Sequence, residues 1–166
     1  MTTLKNHSSL VKVAIVALVA LAALAFVSTG AMATSGCKKV NGKFTLQPAT
    51  QCTSSPINLC ATGMYSGDIK GNNEFTGTSF TPAGDVPLVF VLTGDNLIHT
   101  EEGDLMSKDA IVLNGDPDGQ GDFAELDTVI DGAGAWAGAT GQITAVGNFN
   151  PASGGEGEYS GEICLP

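Results

Sequence analysis

Arginine is absent from this chain of 166 residues, tryptophan occurs once and histidine twice. Lysine is the sole strong base, and seven stand against seventeen Asp and Glu, for a formal net charge of −10 at pH 7. Nucleic-acid binding needs a basic surface that neutralises phosphates, so that class is excluded. Bidentate phosphate recognition and binding to anionic membranes are disfavoured for the same reason. Past residue 33 the one histidine is His99, which rules out multi-histidine metal catalysis. A Gly-x-Ser-x-Gly elbow is missing, so a Ser-His-Asp hydrolase has no support. Gly132-Ala-Gly134 does not open a dinucleotide fingerprint, because the third glycine falls at 138 rather than 137 and no helical pattern follows. Helical periodicity is also scarce, and what remains reads as β.

The first 33 residues read as a secretory signal peptide. Lys5 and Lys12 form a basic start, Val13 to Val27 is an uncharged apolar run, and Ala31-Met32-Ala33 is an A-x-A cleavage site. The run falls short of the roughly 20 residues a spanning helix needs. Thr34 stands where a lipoprotein signal ordinarily carries Leu, so Cys37 is not read as a lipidation site. The expected mature chain, 34–166, is one domain in size and has five lysines against seventeen acids, a balance of −12. A secreted or periplasmic protein, free of the membrane after cleavage, is expected.

Cys37, Cys52, Cys60 and Cys164 are an even set in an exported chain and read as two disulfides. Intervening lengths of 14, 7 and 103 residues lack the paired spacing of a zinc site. Of the three connectivities, Cys37–Cys52 with Cys60–Cys164 is preferred. The first would staple an N-terminal arm, 34–57, and the second would tie an early strand of the following domain, 58–166, to its last one.

Glycine is abundant, 22 in all, and turn signals recur about every ten residues. Candidate strands are Leu59–Ile69, Glu74–Thr81, Val86–Leu92, Leu97–Glu101, Ala110–Leu113, Asp122–Ile130, Gln142–Phe149 and Glu158–Cys164. Gly71-Asn72-Asn73, Gly94-Asp95-Asn96, Asn114-Gly115-Asp116 and 151–155 supply turns between them. The fold class is therefore all-β, an antiparallel closed barrel of about eight strands, a number whose interior side chains can fill or which can hold one small ligand. Alternation puts Ile143, Ala145 and Phe149 on one face of their strand, and Tyr159, Gly161 and Ile163 on one face of theirs.

The stretch Ile130-Asp-Gly-Ala-Gly-Ala-Trp-Ala-Gly-Ala-Thr-Gly141, with the alternating strand and Tyr159-Ser-Gly-Glu-Ile163 that follow, resembles the signature of the allene oxide cyclase barrel and dirigent-like superfamily. That resemblance implies an eight-stranded barrel from about Asn58 to the C-terminus. The chain departs from the signature at Asp131, Ala133 and Trp136, where the family has Gly, Thr and Phe. The cyclase's catalytic residues find no match, so its activity is not carried over, and fold likeness is a weak warrant for function.

Three groups of residues carry chemistry. Tyr-Ser-Gly-acid-Ile occurs at 65–69 and 159–163, which makes Tyr65 and Tyr159, with Trp136, the candidate ligand-binding aromatics, against a reading as barrel packing. His99 and Glu101 share a strand face and form the weak acid–base candidate, against a reading as rim residues. Asn114, Asp116, Asp118, Asp122 and Glu125 fall at positions 1, 3, 5, 9 and 12 of a calcium-type loop, with Gly119 at position 6 and Gln120 beside it. Asn at position 1, Gly121 at position 8 and the lack of flanking helices favour a plain hairpin turn instead. No cofactor other than that calcium is expected. The preferred function is non-catalytic binding of a small apolar or amphipathic ligand in the lumen. The alternatives are an isomerase or cyclase, or a calcium-stiffened module meeting an extracellular partner, and an oligomer is open in each case.

Overall fold

The computed structural model describes residues 36–118 and 120–166. The expected signal peptide, 1–33, lies outside the described residues, as does Gly119. Eight strands run in chain order: β1 (Gly36–Pro48), β2 (Cys60–Gly67), β3 (Gly71–Pro82), β4 (Val89–Thr100), β5 (Gly103–Gly115), β6 (Gly121–Gly132), β7 (Thr140–Asn150) and β8 (Gly154–Leu165). Each pairs antiparallel with the next, and β1 closes on β8 to complete a barrel. A closed barrel has no free sheet edge, so each strand has a hydrogen-bonded neighbour on both sides.

Three expectations are corrected. The expected arm, 34–57, is not outside the barrel where it is described, because Gly36–Pro48 is the barrel's first strand, with Val40 and Phe44 buried inside. That completes the count of eight, because Val86–Leu92 and Leu97–Glu101 are not two strands. Gly94-Asp95-Asn96 is no turn but the middle of β4. An alanine Cβ at position 94 would collide with the Phe75 ring, so glycine is there to admit an aromatic rather than to reverse the chain. Gly71-Asn72-Asn73 likewise opens β3, and Asn73 is buried. The strand also starts later than expected: Val86 is exposed, and Pro87 and Leu88 precede Val89 in a turn.

The third correction is the disulfide pairing. Cys37 bonds Cys164, and Cys52 bonds Cys60. Cys37 and Cys164 are opposite each other where β1 meets β8, so this bridge locks the seam of the barrel. The other closes the β1–β2 loop. Ser55 holds the same loop down, donating its hydroxyl to the Gly77 carbonyl of β3 at 2.6 Å and accepting from the Ile57 and Leu59 amides. Two intact disulfides fit an oxidising compartment.

The lumen changes character along its length. At one end Val40, Ile69, Ile98, Leu105, Val129, Ala139 and Ile163 are almost wholly buried and fill it. The glycine-rich stretch 132–138 folds over this end. Gly134 and Gly138 have φ of 64° and 72°, and the Asp131 carboxylate accepts from the Gly132 and Gly138 amides. The other end is open.

Candidate functional site

The open end leads into a cavity of about 440 Å³. Phe44, Phe75, Leu92, Ile111, Leu113, Phe123 and Phe149 line its wall. Phe80 near the end of β3 and Phe90 at the start of β4 stack at 4.8 Å and line it, joined by Leu59 of the β1–β2 loop and Cys60 at the start of β2. Its lining carries no lysine or histidine among the described residues. Polar groups enter mainly through Tyr65, Asn73, Asn96 and Glu125.

Glu125 belongs to a cluster that sequence reasoning missed. Asp109 on β5 and Asp127 on β6 are direct cross-strand partners, and both are about 97–98% buried. Glu125 lies two residues from Asp127 on the same face of β6, and one carboxyl oxygen from each of the three lies within 4.8 Å of the others. Like charges directly opposite on a sheet repel, and burial removes the water that would screen them. The adjacent Lys108 gives no relief, because it points outward to pair with Asp95. Ser107 donates, its hydroxyl 2.7 Å from Asp109 Oδ1. Asp109 Oδ2 and Asp127 Oδ1 are buried without a hydrogen-bond partner, and so is Asn73 Oδ1.

Burial therefore raises all three carboxyls above the usual carboxylate range. Asp109 goes to about 6 through burial, moderated by the Ser107 hydroxyl. Glu125 goes to about 8 through burial and then the Asp109 charge. Asp127 goes to about 11 through burial, then the charges of Glu125 and Asp109. A proton between facing oxygens turns repulsion into a hydrogen bond. Tyr65 stays protonated for kindred reasons, burial first and the three acids after it. Its ring is stacked on Phe44 at 5.6 Å and tilted against Tyr159 at 5.2 Å.

The expected site residues fare differently. Tyr65 lines the cavity. Tyr159 faces the lumen but uses its hydroxyl structurally, accepting from the Ile69 amide at 2.9 Å and lying 3.2 Å from the Ser66 and Ile69 carbonyls. Trp136 sits at the opposite end from the opening, where its indole N–H donates to Thr100 Oγ1 at 3.1 Å. His99 is outside the barrel, because Asn96 and Ile98 take the inward positions of β4. Its Nδ1 is 2.9 Å from Asp104 and its Nε2 3.8 Å from Glu74, while Glu101 occupies the exposed β4–β5 turn. The His99–Glu101 pair therefore cannot act on a lumen ligand.

The calcium-type spacing is not brought together either. Asp116 Oδ1 accepts from the Asp118 and Gln120 amides, an Asx turn capping the β5–β6 hairpin that Asn114 leads into. Asp122 and Glu125 lie on opposite faces of β6, Asp122 to solvent and Glu125 to the lumen. One ion cannot be wrapped from both sides of a strand. Compared with known proteins, the chain matches no family model, no curated protein and no solved structure.

Proposed function

We propose that this protein is a secreted carrier that binds a small apolar or amphipathic molecule in its lumen. The observation that supports the reading is the cavity itself. It falls inside the range of about 300–1,000 Å³ typical of small-ligand sites, with aromatic and aliphatic walls and a few polar groups at depth. A signal-like start, two disulfides and a strongly acidic surface suit a soluble extracellular protein. The neutral solvatochromic naphthalene Prodan tests it. Prodan should bind one per chain with a blue-shifted emission. Leu113→Trp, which intrudes on the cavity, should weaken that signal markedly, whereas Val146→Trp on the outer wall should leave it intact. Absence of binding, or binding that Leu113→Trp leaves untouched, would overturn the reading.

Glu125 favours one second reading. A carboxyl at the end of an apolar cavity, held protonated near neutrality, is equipped as a general acid, which keeps an isomerase or cyclase of the allene oxide cyclase-like type in view. Carriage returns a ligand chemically unchanged, and isomerisation does not.

A further inference from the structure

The polar end of the cavity is rich in acceptors. Glu125 contributes to the lining, with Asp109 and Asp127 behind it. Asn73, 98% buried and also part of the lining, has an unpartnered carbonyl oxygen. Two further orphan oxygens belong to the aspartates. These three oxygens are closed off from the cavity, so the acid a ligand meets is the Glu125 carboxyl that lines it. A carboxylate or phosphate head would add a charge of the wrong sign, with no lysine in the lining to meet it.

From these observations we infer that the lumen selects amines: an apolar body against Phe44, Leu92, Ile111 and Phe123, and a protonated amino group on the Glu125 carboxyl. This rests on the carrier reading and specifies its ligand class. The ammonium supplies up to three donors and one positive charge, and the latter takes the place of a proton that the acids otherwise share. When the amine enters, one carboxyl proton leaves to solvent and an ion pair forms in its stead. In a low-dielectric lumen a charge-assisted hydrogen bond is stronger than its neutral counterpart.

Displacement of Prodan by three chains of equal length tests this: decylamine, decanol and decanoate, at pH 8. Decylamine should compete best, at least about tenfold more tightly than decanol, with decanoate weakest. Glu125→Gln should erase the preference of amine over alcohol while decanol binding stays within about twofold, which also shows that the variant is folded. Asp109→Asn should weaken the preference in the same direction. If decanol or decanoate matches decylamine, or if Glu125→Gln keeps the preference, the amine assignment is overturned while the carrier reading stands. If none of the three displaces Prodan, the amine assignment falls, and the carrier reading is decided separately by whether Leu113→Trp weakens Prodan binding.

Discussion

At the scale of single residues, the central fact is that three acids sit where an apolar core is expected. Their raised pKa values make a statement about stability. A carboxyl whose folded-state pKa exceeds its unfolded value binds more protons in the folded state, so stability falls as pH rises between the two. The window opens near the ordinary carboxylate range and extends through about 6 for Asp109 and about 8 for Glu125. Thermal unfolding midpoints should therefore fall from pH 5 to pH 9. Mutual repulsion among surface acids acts in the same direction, so the test is comparative. Asp127→Asn barely changes the surface, yet it should flatten the slope and raise stability by about 1–2 kcal/mol at pH 8, with little effect at pH 5. A slope equal to that of the parent protein would show that the buried acids are not its source. These acids were partly legible in the sequence. Period-two alternation puts Phe123, Glu125, Asp127 and Val129 on one face of β6. The opposite face, Ala124, Leu126, Thr128 and Ile130, is the more uniformly apolar, so alternation alone points the wrong way. Registry with Asp109 across the sheet decides it, and that is information a single strand does not carry. The spacing that made Glu125 a calcium ligand arose because a hairpin rich in Asp and Gly happens to precede an inward-facing acid.

At the scale of elements, β6 to β8 were readable because their alternation is clean and their turns are marked. β1 was not, although Val40, Phe44 and Leu46 recur on one face, because Lys38, Lys39 and Lys43 and the flanking cysteines suggested an exposed arm. The disulfide pairing followed that error. With β1 recognised as the neighbour of β8, Cys37 and Cys164 are adjacent by necessity. The two bridges also differ in what they restrain. Cys37–Cys164 links residues 127 apart, and Cys52–Cys60 links residues 8 apart. Loop-closure entropy then predicts about 4–5 kcal/mol lost on replacing the first pair by serines and about 2–3 kcal/mol for the second. Denaturant unfolding of the two double variants under oxidising conditions measures this, and equal losses would remove the entropic explanation. The shorter bridge has a second role, since Cys60 also lines the cavity. Its loss should therefore weaken Prodan binding more than loss of the seam bridge does, once stability is matched.

For the whole molecule, two apolar surfaces compete for the role of ligand site. One is the lumen. The other is the outer wall, where Val112, Leu126, Ile130 and Val146 on β5, β6 and β7 are 40–58% exposed. The inward turn of the acids and the outward turn of these aliphatics are two sides of one pattern along β5 and β6. An apolar ligand could settle on either surface, and the lumen differs in offering a sheltered carboxyl, Glu125, beside its apolar wall. The measurement that separates them is a side-chain NMR titration, with methyl, aromatic and carboxyl carbons followed as decylamine is added. Shifts at Phe44, Leu92, Ile111 and Phe123, together with the Glu125 carboxyl, are expected, with Val112 and Val146 unmoved. Shifts confined to Val112, Leu126 and Val146, with Glu125 silent, would contradict lumen binding.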